Sequence, residues 1–145
     1  MHRTFRQLAI ALPLAATSLG ASAAAMMVSD CWIRSMPGEM PSGGYFKLMN
    51  MSGKPIDLDG IHTEAFGMSA LHQTQTSGST SKMVPIEKVT IAANSTFAFA
   101  PGGYHAMFEK PKASLAVGST VPVTFKFSDG ERIEAKCAVK SATGQ

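Results

Sequence analysis

The stretch Val121-Pro122-Val123-Thr124-Phe125-Lys126-Phe127-Ser128-Asp129-Gly130-Glu131-Arg132-Ile133-Glu134-Ala135-Lys136-Cys137-Ala138-Val139-Lys140 decides the fold class. Val121, Val123, Phe125 and Phe127 alternate with Pro122, Thr124, Lys126 and Ser128, and Ile133, Ala135, Cys137 and Val139 alternate with Arg132, Glu134, Lys136 and Lys140 nearby. A period of two puts one set on a core face and the other in water, as in an antiparallel strand pair. Asp129-Gly130 between the two runs is a hairpin signal. Phe97 and Phe99 repeat the pattern against Thr96 and Ala98. Turn signals such as Pro37-Gly38, Pro41-Ser42-Gly43-Gly44, Pro101-Gly102-Gly103 and Val117-Gly118-Ser119 punctuate the rest, and no window sustains a long helical period. Short strands with turns between them predict an all-β sandwich or Greek-key barrel.

Residues 1–24 read differently. Met1–Arg6 is a short basic start, Leu8–Leu19 is an apolar run of twelve residues, and Ala21-Ser22-Ala23 is a small-x-small cleavage signature. This is the layout of an export signal, cut near residues 23–25. Twelve apolar residues are too few for the roughly 20 that span a bilayer, so a retained anchor is the weaker reading. The expectation is one exported, periplasmic domain over residues 25–145, a monomer with no membrane span once the signal is removed.

Thirteen Lys and Arg against ten Asp and Glu give the 145-residue chain a net charge of +3, and loss of Arg3 and Arg6 with the leader brings that to +1. So neutral a domain lacks the electrostatic footprint of a nucleic-acid binder. Two cysteines exclude a four-Cys zinc site or a dense disulfide scaffold. Cys31 and Cys137 fall on the predicted first and last strands. In an oxidising compartment such a pair is expected to join, with buried free thiols as the alternative. A copper thiolate is disfavoured, because neither His nor Met follows Cys137. The compositional excess is methionine, ten residues in all.

The chemistry gathers on His72, Met83, His105 and Met107. His105-Ala106-Met107 on a strand projects one imidazole and one thioether to the same side. They follow the Pro101-Gly102-Gly103-Tyr104 turn. His72 ends a strand predicted over Met68–Thr74, and a polar loop over Gln75–Lys82 would bring Met83 back to it. Thioether is soft and imidazole borderline, and both are neutral, which suits Cu(I). Zn²⁺ prefers thiolate, imidazole or carboxylate, and Ca²⁺ and Mg²⁺ prefer oxygen. Taken singly, His105 or Met107 is better read as a core or structural residue; as a set, the four are read as a site as well as they are read as packing. Met68 shares the strand face of His72 and is better read as core than as site lining, whereas Tyr104 and Phe108 flank the His-x-Met and would shield the metal. Met36 and Met40 flank turn residues and would make at most a weak secondary patch. His62 reads as structural.

His72, Met83, His105 and Met107 stand in the spacing H-x10-M-x21-H-x-M. This resembles the motif of the periplasmic copper chaperones called PCu(A)C. Pro101–Met107, Cys31-Trp32-Ile33-Arg34 and Thr124–Gly130 look like segments of the same family, and the resemblance covers about residues 28–139. It implies a cupredoxin-like β-sandwich that binds one Cu(I) through two His and two Met. It also implies delivery of the ion to a copper-accepting protein such as cytochrome c oxidase subunit II, at its dinuclear copper centre. Gln73 stands where the family often has Met, on the strand face away from His72. Some members carry a His/Met-rich tail that adds a Cu(II) site; Lys140–Gln145 holds no such ligands, so that second role is not expected here.

The expected function is therefore non-enzymatic Cu(I) carriage. Copper storage or buffering and cupredoxin-type electron transfer are the alternatives. A copper monooxygenase, whose cue is an N-terminal His ligand, and a metal-free adhesin-like sandwich are weaker still.

Overall fold

The structure, a computed structural model, describes residues 23–145. The expected leader therefore lies outside the described residues except for its last two positions. Ten strands follow in order: β1 (Met26–Arg34), β2 (Ser42–Asn50), β3 (Ile56–His62), β4 (Phe66–Ser77), β5 (Thr80–Ile86), β6 (Val89–Ile91), β7 (Ser95–Phe99), β8 (Tyr104–Pro111), β9 (Thr120–Phe127) and β10 (Arg132–Lys140). Among the described residues no helix is long and apolar enough to cross a membrane.

The deciding hairpin forms with the register its alternation requires. Val121 pairs with Cys137, Val123 with Ala135 and Phe125 with Ile133. Val123 and Phe125 are fully buried. Gly130 supplies the left-handed turn at φ +90°, and the Glu131 amide donates to Asp129 Oδ1 at 2.9 Å. From this hairpin the sheet runs in the order β5-β4-β8-β2-β1-β10-β9-β3-β6, with β7 also pairing β2. β8 pairs the start of β2, at Ser42–Gly44, and β7 pairs the remainder, at Phe46–Asn50. β1 and β10 are parallel neighbours, which sets the two ends of the domain side by side.

The open sheet folds over into a sandwich. β2 and β9 are three steps apart along the hydrogen-bonded path, yet Phe46 and Phe125 meet edge-on with ring centres 4.7 Å apart. Between the layers lie Ile33, Leu48, Leu58, Phe108, Val123 and Phe125, all essentially fully buried. Burial of such side chains, each worth about 1.5–3 kcal/mol, is what holds a chain with few charges folded.

A bulge in β1 aims one cysteine. Ser29 pairs with Lys47 but Trp32 pairs with Tyr45, so β1 carries one extra residue, and Asp30 sits there at φ +51°. The extra residue shifts the alternation by one, so that Cys31 and Ile33 face inward. Cys31 is disulfide-bonded to Cys137, with Cα atoms 4.5 Å apart, across the parallel β1–β10 pair.

One expectation is corrected here. Gln75–Lys82 is not a loop. It is the tip of the β4–β5 hairpin, with Gln75 paired to Lys82, Thr76 to Ser81 and Ser77 to Thr80, and Gly78 turning at φ +60°. The segment is polar because it stands in water, while its β-branched threonines and the cross-strand Thr76–Ser81 hydroxyl contact of 3.1 Å favour the ladder.

Candidate metal centre

The metal-ligand candidates come together through strand register rather than through loops. His72 on β4 lies directly opposite His105 on β8, and the two rings stack at 18° with centres 5.7 Å apart. Met107, two residues on from His105, faces Ala70, whose small side chain leaves room beside it. Met83 on β5 is opposite Thr74, two residues from His72. Residues two apart share a strand face. All four side chains therefore project from one face of the β5-β4-β8 ribbon.

That face is turned away from the core. Ala106 and Phe108, which alternate with the ligand candidates on β8, are in the core. The outer face is roofed by the Ser35–Pro41 segment between β1 and β2. Met83, His105 and Met107 line a cavity of about 280 Å³ with Met36, Met40 and Tyr45. Its floor is open at Gly43, opposite Met107, because a Cβ there would lie 2.6 Å from the Tyr45 hydroxyl. Tyr45 in turn rests on Trp32, ring centres 4.6 Å apart, and the Arg34 guanidinium lies over Tyr45 at 5.2 Å.

His105 is only 4% exposed, and its Nδ1 is 3.3 Å from the Gly103 carbonyl oxygen. A carbonyl only accepts, so Nδ1 is the donor, and in the neutral ring Nε2 keeps its lone pair. The same carbonyl accepts the Thr74 amide at 3.0 Å, which ties the turn before β8 to β4. Nε2 of His105 and Nδ1 of His72 are buried without a hydrogen-bond partner. Buried polar atoms are ordinarily satisfied, so two orphaned imidazole nitrogens on stacked rings fit a soft metal ion. Among the described residues no group of three or more His, Cys, Asp or Glu is placed to hold a metal. The candidate donors gathered on this face are imidazoles and thioethers.

Burial holds His105 below the ordinary imidazole value of 6.5; the Gly103 hydrogen bond opposes this and the neighbouring His72 adds to it. The unfolded chain therefore takes up this proton at higher pH than the folded chain. The stability His105 contributes is complete above pH 6.5 and is lost as pH falls through its lowered folded value. The apo-protein's denaturant midpoint is expected to drop between neutral and mildly acidic pH. A His105→Phe variant should lose that part of the slope; an identical slope in the variant would assign the effect elsewhere.

Other sequence-based expectations move. Tyr104 lies on the core-facing side of β8 against Phe97, ring centres 5.1 Å apart, and Phe108 stacks on Phe66 at 5.2 Å. Neither shields the ligand face, because the strand period turns both away from His105. Met68 is 46% exposed opposite Glu109 and is neither core nor cavity lining. His62 is exposed and meets Glu64 at 2.8 Å. Met36 and Met40 are the residues undervalued from sequence: their spacing carries no strand period, because a loop brings them in.

The fold is a small β-sandwich with paired imidazoles and thioethers on one outer face, a donor chemistry that suits soft metals. A family model described as "Putative lipoprotein LpqE-like" matches residues 26–139, and the chain belongs to that family, which is the PCu(A)C family. The chain is similar to "Putative lipoprotein Lxx21020" of Leifsonia xyli subsp. xyli (strain CTCB07), 30% identical over 137 residues that cover 94% of this chain and 82% of the relative. The solution structure of CuI-DR1885 from Deinococcus radiodurans superposes with a TM-score of 0.66 at 30% identity, covering 87% of this chain and 85% of that one. The copper-bound PCuAC domain from PmoF2 superposes with a TM-score of 0.70 at 19% identity, over 83% of this chain and 96% of that domain. The shared fold is cupredoxin-like and all-β.

Proposed function

We propose that the protein is an exported, non-enzymatic Cu(I) metallochaperone that carries one ion on His72, Met83, His105 and Met107 and passes it to the dinuclear copper centre of cytochrome c oxidase. The observation that carries this reading is the stacked His72–His105 pair, each ring with a buried, unpartnered nitrogen, beside a cavity that holds both motif methionines. Family membership and copper-bound relatives support the copper, and the lipoprotein names among the relatives support export. Neutral donors suit a carrier: Cu(I) is held, yet each donor is replaced stepwise by an acceptor's without breaking a thiolate bond. The chain's two cysteines are joined to each other, so no thiolate is free to make a blue-copper electron-transfer site.

The test is a Cu(I) competition titration of the exported domain, with X-ray absorption to count sulfur and nitrogen neighbours. It is followed by mixing the loaded protein with a reduced apo oxidase copper domain. One tight ion with mixed nitrogen and sulfur neighbours, and transfer to the acceptor's thiolates, is the expected result. Absence of tight binding refutes the copper site. Copper that stays on this protein after prolonged mixing refutes delivery and makes buffering the better reading.

A further inference from the structure

The cavity holds more soft donors than one ion needs. Besides Met83, His105 and Met107 it is lined by Met36 and Met40, which the segment between β1 and β2 brings over the ligand face. That segment is braced. The Met36 amide donates to Ser42 Oγ at 3.4 Å, the Met40 amide donates to the Pro37 carbonyl at 3.4 Å, and Gly38 turns at φ +61° between Pro37 and Pro41. The backbone that carries the two thioethers over the cavity is therefore tied down by these hydrogen bonds.

Exposure across the cavity is graded. His105 is 4% exposed, Met107 and Met36 are half-buried, and Met40 and Met83 are 51% and 59% exposed. Met83 stands on the edge strand of the sheet and lines the same cavity as the two loop methionines. Large apolar side chains left in water at a cavity mouth cost solvation unless they bind something, and thioethers bind soft cations.

We propose that Met36, Met40 and Met83 form an outer three-thioether Cu(I) subsite at the cavity mouth, through which the ion enters and leaves the inner set of His72, His105 and Met107. This rests on the Cu(I) reading above. Met83 is shared and is the residue across which the ion passes. Two inward steps each form one bond from copper to an inner donor and break one to a loop sulfur, and the third inner donor then adds to complete four-coordination with Met83 retained. Copper remains Cu(I) throughout and no proton or electron is exchanged.

The test separates the outer subsite from the inner site. In the Met36→Leu/Met40→Leu double variant, which conserves volume, equilibrium Cu(I) affinity measured against a colorimetric Cu(I) chelator should stay within about threefold of the parent. The rate at which excess chelator strips the ion in stopped flow should fall about tenfold, as should the loading rate, because the entry route has lost its donors. Titration of the [13C-methyl]methionine-labelled parent with Ag(I), a redox-inert stand-in, should shift the Met36 and Met40 methyl signals and leave core Met26 in place. Unchanged rates in the double variant overturn the proposal. So does loss of affinity equal to that of Met107→Leu, which would make the loop thioethers inner ligands, and so do unmoved Met36 and Met40 signals. A parent that binds no Cu(I) at all overturns instead the function on which the proposal rests.

Discussion

A His105→Phe protein should bind Cu(I) at least about 100-fold more weakly than the parent while keeping its fold. Removing even an outer partner of a metal ligand typically costs 10–100-fold, so loss of a direct donor belongs at or beyond the upper end of that range. Phenylalanine fills the ring's volume and keeps a face for His72 to stack on, so the change isolates the lost nitrogen. His105 is the most damaging position because it is the most buried candidate, and its Nδ1 is already committed to Gly103. Met107→Leu should cost less, about tenfold, since a half-buried thioether is the weaker donor. Competition titration reads both variants, and far-ultraviolet circular dichroism verifies the fold. Parent-like affinity in both would reduce the paired His and Met to packing residues.

Loss of the Cys31–Cys137 bond should lower unfolding stability by about 2–4 kcal/mol, with an upper bound near 4.7 kcal/mol from the chain entropy of so long a loop. The bond spans 106 residues of sequence. It fastens β1 to β10, a parallel pair that no short turn can connect. Copper affinity should not change, because both sulfurs face the core while the donors stand on the outer face of β4, β5 and β8. Denaturant unfolding of a Cys31→Ala/Cys137→Ala variant, with Cu(I) titration of the same sample, reads both halves. A variant that keeps parental stability would remove the cross-link from the stability account. One that loses copper would tie the bond to the site.

The strands with a strict period of two were legible because a half-buried strand leaves a signature in composition. β9, β10 and β7 emerged with the faces their alternation demands. What sequence hid lies where two backbones interact. The β1 bulge depends on Asp30 adopting φ +51°, and nothing in Ser29-Asp30-Cys31 announces it. The β4–β5 tip reads as a loop from its polarity, although a hairpin that stands clear of the core has no reason to be apolar. The His72, Met83, His105 and Met107 set was visible as spacing, but only register explains it. Tyr104 was misplaced by treating sequence neighbours as spatial ones, since adjacent strand residues point in opposite directions. Met36 and Met40 read only as a weak patch because an irregular loop has no period that would tie them to the ligand face.

The pairing of His72 with His105 and of Thr74 with Met83 also says which evolutionary changes the motif can absorb. The ten residues between His72 and Met83 are the arms and turn of one hairpin. Lengthening that turn at Gly78 alters the count but leaves the pairing intact. A single insertion within either arm reverses the parity and swings a donor to the opposite face. The twenty-one residues before His105 include β6 and β7, which pair with β3 and β2 and not with the ligand strands, so that interval is free to vary as long as β8 returns in register. Only the two-residue step from His105 to Met107 is fixed by the strand itself. Divergent relatives should therefore be sought by conserved parity and pairing, with gaps allowed at Gly78 and between Ile86 and Tyr104, and a match that keeps every count but breaks the parity should be discarded.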